Sequence, residues 1–412
     1  MESKIKVFRD NLKNSQKFRK VISFVIAFFL AIYIFVFCAF GSRPKLFILT
    51  YPSLALLFVA LFVYLFVFFE EIKVRLNFRM LIPVLFPALV LLTTLIGTRN
   101  FSYLKTTFLL TLTCYASIIA FFCINDVKII LYLIAIPIFS FCIYFLIHYG
   151  STLVHYSGQR LGSFFGNEND VGINLYFGFV FAIILGISFK HYWMLGPACL
   201  MLLTSITTGS KKVIILSFLF LLFFTFISLR KKKLTFLIVV VTVITIFVVL
   251  MFMPFFSDIR KRFLSGIPLL SGGDVDASTI NRLLFFKTSF YLGTKSIIFG
   301  YGGSAFSTLS GYGTYAHNNL GEILCDFGLV GVISFYALYP LVAFFVNKKN
   351  PKHTLIVFTF LGTFIFCSFT LVFFDSKIYY ILLALSLFIA EKDNDKILKK
   401  QESLGFYCEV NI

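Results

Sequence analysis

Apolar runs of about 20 residues recur along the chain, each long enough to cross roughly 30 Å of hydrocarbon. Short clusters of Lys and Arg separate them. In hydrocarbon no water is available to bond a stray amide, so each run must close its backbone hydrogen bonds within itself, which means a helix. Stretches such as Phe66-Val67-Phe68-Phe69 would be sticky on any wetted surface. With 412 residues, 59% of them hydrophobic and 13% charged, the chain carries more apolar side chain than a soluble core hides. These features predict an all-α polytopic membrane protein of about 12 transmembrane helices. They fall near 21–41, 46–69, 80–97, 104–124, 127–148, 171–189, 192–208, 213–229, 234–255, 328–346, 353–374 and 377–390. The first run is too long for a cleaved leader and lacks a small-residue cleavage site, so it is expected to remain as a helix.

The formal charge of +19 does not indicate a nucleic-acid partner. The cations form clusters between apolar runs, the pattern left by the positive-inside rule, rather than a continuous basic patch. With the N-terminus inside, 23 of the 37 Lys and Arg residues fall on the cytoplasmic side. Both termini are therefore expected in the cytoplasm. The expected organisation is a cytoplasmic segment 1–20, transmembrane helices over 21–255, a large extracytoplasmic loop 256–327 containing short helices, helices again over 328–390, and a cytoplasmic tail 391–412. The eight cysteines lack metal-ligand spacing and read as small buried hydrophobes. No metal and no cofactor is expected.

Fourteen basic residues fall on the outer side, against the insertion bias, and an anionic ligand such as a diphosphate would compensate them. Local carboxylates, Glu168 and Asp170 among them, offer a plainer compensation. Three patterned segments carry the most informative cations. Arg160-Leu161-Gly162-Ser163-Phe164 leads to Asn169 and Asp170, either of which would cap the next helix beside an anion-friendly corner. Lys211 and Lys212 fill a tight turn. Arg282 lies in Ser278–Lys287, read as a short amphipathic helix with Leu283, Phe286 and Phe290 on one face, suited to the membrane surface.

Beyond it, Gly300-Tyr301-Gly302 and Tyr315-Ala316-His317-Asn318-Asn319 form a glycine-rich, polar stretch. It lacks the Gly-Lys-Ser/Thr end of a nucleotide loop. Tyr301 and Tyr315 offer faces to sugar rings. His317 has the near-neutral pKa suited to a general base, and Asn318 follows to orient a substrate or the ring. Asp274-Val275-Asp276 mimics the metal-holding pair of soluble glycosyltransferases, but reads as a turn before a helix cap at Asp276 or Ser278.

In this order, the segments resemble the O-antigen ligase and Wzy-type polysaccharide polymerase superfamily of bacterial membrane glycosyltransferases. Arg160-Leu161-Gly162-Ser163-Phe164 with Asn169 is similar to the arginine–glycine–aromatic–asparagine motif of that family. Ser210-Lys211 stands where the family has serine–arginine. Arg282 with Gly300-Tyr301-Gly302, and His317-Asn318 with Gly328-Leu329-Val330-Gly331, match its later motifs. The matched part covers roughly 155–335. Glu168 stands where proline is common, and Lys211 replaces arginine.

The resemblance implies an enzyme that takes a glycan from an undecaprenyl-diphosphate-linked oligosaccharide donor and passes it to a hydroxyl of a glycan acceptor. It implies that Arg160, Arg282 and Lys211 hold the diphosphate while His317 activates the acceptor, with Asn169, Asn318, Tyr301 and Tyr315 binding substrate. A chain rich in Phe, Ile and Lys suggests an AT-rich genome, which favours a polymerase of O-antigen or capsule type over a ligase. Partners then include the lipid bilayer and a chain-length regulator. A flippase for the same lipids is the competing class. It would place ionisable residues at mid-membrane, whereas here they gather toward one face.

Overall fold

The computed structural model describes residues 2–41, 46–75, 81–154, 160–229, 232–252, 257, 260–261, 277–346, 350–368, 372, 374 and 376–403. The Asp274–Asp276 turn, Arg262 and Cys408 lie outside them. Among the described residues every regular element is helical. The N-terminal segment forms α1 (Glu2–Asn14), and Ser15 caps α2 by accepting the Phe18 N–H at 3.2 Å. Helices then stand at every stretch predicted to span: α2 (Gln16–Phe40), α3 (Thr50–Arg75), α4 (Ile82–Ile96), α5 (Phe101–Ile124), α6 (Val127–Val154), α7 (Glu168–Ile183), α8 (Leu195–Thr207), α9 (Lys211–Leu229) and α10 (Lys233–Phe252). The remaining elements are α11 (Ala277–Lys295), α12 (Ala305–Leu309), α13 (Asn319–Phe345), α14 (Pro351–Ser368) and α15 (Lys377–Ser403).

Eight of these are long and apolar enough to cross a membrane, namely α2, α3, α5, α6, α7 with the π-turn that extends it to Ser188, α9, α13 and α14. Shorter apolar stretches occupy Ile82–Ile96, Tyr192–Thr207 and Lys233–Thr242. The protein is a multi-pass membrane protein.

The chain divides into two compact units. In the first (Met1–Val67 and Ile124–Leu284), α7 is the central helix, packed by α6, α8 and α9. Every residue from Val171 to Ile183 is buried, as befits a helix that is apolar on all sides. Gly172 and Gly178 permit that packing. A Cβ at Gly172 would stand 2.7 Å from Thr208 Oγ1, and one at Gly178 would stand 2.5 Å from Ile138 Cγ2.

In the second unit (Phe68–Cys123 and Phe285–Ile412), α13 is central and packs on α4, α12, α14 and α15. Phe86, Phe327, Phe335 and Phe374 interlock there with ring centroids 4.8–6.2 Å apart. Residues 319–327, assigned from sequence to the large loop, are the first third of α13. That helix is broken at Gly328 (φ 66°, ψ −165°), and the segment 297–302 is inserted into its hydrogen-bond ladder. An intact helix would pair Leu329 N–H with the Cys325 carbonyl and Val330 N–H with that of Asp326. Here Ile297 and Ile298 carbonyls accept from Leu329 and Val330 at 2.7 and 3.2 Å. Tyr301 and Gly302 N–H groups donate to Cys325 and Asp326 at 3.1 and 2.7 Å. Both halves of each interrupted bond are thus satisfied, the condition for irregular backbone inside a membrane helix.

Five of the described cysteines are buried, Cys123 is half-buried and Cys199 is exposed.

Candidate functional site

The arginine segment of the first unit is held from both sides. Leu161 N–H donates to the Thr207 carbonyl and Arg160 Nε to that of Thr208, both at 3.1 Å, so residues 160–161 grip the end of α8. Phe165 is buried against α6, with Phe141, Tyr144 and Phe145 at centroid distances of 5.3–5.6 Å. Phe164 stacks on His148 at 3.6 Å, and its N–H donates to the Tyr149 hydroxyl. Gly162 (φ 125°) and Gly166 (φ 114°) supply the left-handed turns between these anchors.

Arg160 Nη2 donates to Asn169 Oδ1 at 3.2 Å and lies 3.5 Å from Glu168 Oε2. The cap of α7 is Asn167, whose side chain accepts the Asn169 N–H at 2.9 Å. This corrects the sequence expectation of a cap at Asn169 or Asp170. The Asn169 side chain is turned to the guanidinium instead. Lys211 opens α9 three residues after the carbonyl that Arg160 grips, at the positive end of that helix. The arrangement fixes a planar guanidinium beside the first turn of α7, and a guanidinium next to a helix N-terminus suits phosphate oxygens. Arg160 and Glu168 are 30% and 26% exposed, so their ion pair is worth about 0–1 kcal/mol and yields readily to a stronger anion.

Arg282 is exposed on α11, two residues before Leu284, where the first unit ends. The helix predicted over 278–287 runs on to Lys295, with Ile280, Leu283, Leu284, Phe286 and Tyr291 exposed.

The second unit holds Tyr301, Tyr315, His317 and Asn318. The His317 ring lies nearly parallel to Phe285 (12°, centroids 5.8 Å) and 4.1 Å from the Tyr315 ring. Asn318 caps α13, accepting the Gly321 N–H at 2.8 Å. Asn319 is buried, accepting from Phe374 N–H and donating to the Tyr336 hydroxyl. The Tyr301 ring packs beside the buried cluster of Ala305, Phe306, Ala316 and Cys325, with its N–H committed to the broken helix.

Two residues here were missed from sequence. Asp326 is fully buried, and its two oxygens accept the Ser304 and Phe306 N–H groups at 2.8 and 3.0 Å. Glu322, one turn earlier, accepts the Ala316 N–H. The i, i+4 spacing of two acids in an apolar stretch was the available signal. Among the described residues no group of three His, Cys, Asp or Glu side chains is placed to hold a metal.

The helices define a multi-pass membrane protein, and one stretch of it is similar to a known family. Residues 197–336 match the family model for O-antigen ligase. That stretch contains Lys211, Arg282, Tyr301, Tyr315, His317 and Asn318, and begins after Arg160 and Asn169. No curated protein matches the chain.

Proposed function

We propose that the protein is a polysaccharide polymerase of O-antigen or capsule type, transferring glycan from undecaprenyl diphosphate to a sugar hydroxyl of another lipid-linked repeat unit. The observation that carries this reading is the match to the O-antigen ligase family, spanning both Lys211 and His317. In the step, the bond from the anomeric carbon to the diphosphate oxygen breaks and its electron pair leaves with undecaprenyl diphosphate. The acceptor oxygen attacks the anomeric carbon, and its proton passes to the His317 imidazole. Arg160, Arg282 and Lys211 stabilise the charge that develops on the leaving diphosphate, the largest electrostatic demand of the reaction. A single displacement inverts the anomeric configuration. Asn169, Asn318, Tyr301 and Tyr315 bind the substrates.

The protein would lie in the bacterial inner membrane with both termini cytoplasmic and its chemistry on the outer face, where lipid-linked repeat units are displayed. A chain-length regulator is a fitting partner. A ligase, with a separate lipid or protein acceptor, is the second reading, favoured by the description of the matching family. The purified protein in lipid vesicles separates the two when supplied with undecaprenyl-diphosphate repeat units alone. A ladder of products supports the polymerase. Reaction only after a separate acceptor is added replaces it with the ligase, and glycan that merely changes leaflet makes it a flippase.

A further inference from the structure

Glu322 is buried near the start of α13, at 5% exposure, where a carboxylate needs a partner. Its Oε2 accepts the N–H of Ala316, the residue immediately before His317. This is not the usual capping box, in which an acid at position 321 would reach back to the N–H of Asn318. Glu322 lies one position further on and reaches past the cap to the preceding turn.

The turn it reaches is the one that orients the histidine. His317 has φ 55°, a left-handed conformation that a residue with a Cβ adopts only when its surroundings impose it. On one side the Glu322 carboxylate fixes Ala316, itself 1% exposed. On the other side Asn318 is held in extended conformation (φ −143°) as the cap of α13. Between these two fixed points the imidazole is directed over Phe285 and against Tyr315. A rotation of the peptide before His317 would swing the ring off both.

We propose that Glu322 is a positioning residue, whose carboxylate holds the Ala316 N–H and thereby sets the turn that aims the His317 imidazole. This rests on the reading of His317 as the base for the acceptor hydroxyl. Glu322 acts by where its oxygen lies rather than by its charge. Gln keeps an acceptor oxygen at that distance. Asp keeps the charge but withdraws the acceptor by one carbon–carbon bond, about 1.5 Å.

The test measures kcat and donor KM for E322Q, E322D and E322A in lipid vesicles, with undecaprenyl-diphosphate repeat units isolated from the producing bacterium as the probe. Misaiming a catalytic group by about 1 Å costs about 10²-fold in rate. E322A should therefore lose about that much in kcat, with KM for the donor changed less than about 3-fold and the melting temperature in detergent lowered by the stranded Ala316 N–H. E322Q should stay within about 10-fold of wild type and exceed E322D. Should E322A fail to fold, the order of the Gln and Asp variants decides. E322D equal to or better than E322Q would overturn the proposal, as would wild-type kcat in E322A. H317A separates the failures. If it is inactive while the Glu322 series is flat, only the positioning role falls; if it transfers glycan at the wild-type rate, the base assignment falls.

Discussion

Substituting Gly328 by Ala attacks the break in α13 at its most constrained atom. The glycine has φ 66° and ψ −165°, and a Cβ there would stand 2.3 Å from the Ile298 carbonyl oxygen, 2.4 Å from its carbon and 2.6 Å from Phe299 N. All three are backbone atoms, with no flexible side chain to swing aside. If the break is kept, the backbone strain alone costs about 1–3 kcal/mol, before the overlap is relieved. If α13 closes into a continuous helix, two i→i−4 hydrogen bonds are regained and the four to Ile297, Ile298, Tyr301 and Gly302 are lost. That leaves a net loss of two bonds, about 2 kcal/mol, and strands the buried Gly302 N–H for a further 1 kcal/mol or so. Either route predicts destabilisation of about 3 kcal/mol. Unfolding of the purified protein in detergent micelles, followed by circular dichroism, measures it. Gly362 in α14 provides the reference, because a Cβ there meets nothing within 4 Å. G362A should be neutral or stabilise by up to about 1 kcal/mol. G328A within about 1 kcal/mol of wild type would refute the inserted-segment geometry.

The two anchored carboxylate and guanidinium contacts give further expectations. R160K should lower kcat/KM for the lipid-linked donor at least about 10-fold, because one ammonium cannot serve both the Thr208 carbonyl and Asn169 Oδ1 as the guanidinium fork does. Wild-type kinetics for R160K would show that the fork geometry is not used. D326N should destabilise by about 2 kcal/mol, since one amide oxygen replaces two carboxylate oxygens and the amide NH2 is turned toward a backbone N–H. Hydrogen exchange at residues 304–309 should accelerate in that variant, and unchanged protection there would contradict the capping role.

The helices were legible in the sequence because hydrocarbon imposes one solution on a long apolar run. A helix stands at each predicted span, although α13 begins nine residues before its span and α15 runs thirteen residues beyond its own. The start of α13 was not legible. Glu322, Asp326 and Gly328 interrupt the apolar run, so residues 319–327 read as loop. Their burial depends on partners distant in sequence, the 297–306 segment and Ala316, which local pattern cannot reveal.

The same limit applies to the arginine segment. The resemblance of its motif paired Arg160 with Asn169, and they do meet. The docking of both Arg160 and Leu161 on the turn after α8 joins residues almost fifty positions apart and left no trace in the motif. The cap of α7 was misplaced by two or three residues because Asn167, Asn169 and Asp170 all have capping chemistry, and only the tertiary demand of Arg160 selects among them.

The most direct test of glycan transfer follows the leaving group. Wild-type protein in vesicles loaded with undecaprenyl-diphosphate repeat units should release one undecaprenyl diphosphate for each glycosidic bond formed, read by phosphorus NMR beside the glycan ladder. H317A and the Arg160→Ala variant should lose both signals together. Glycosidic bonds formed without release of the diphosphate lipid, or undiminished release in H317A, would contradict the account.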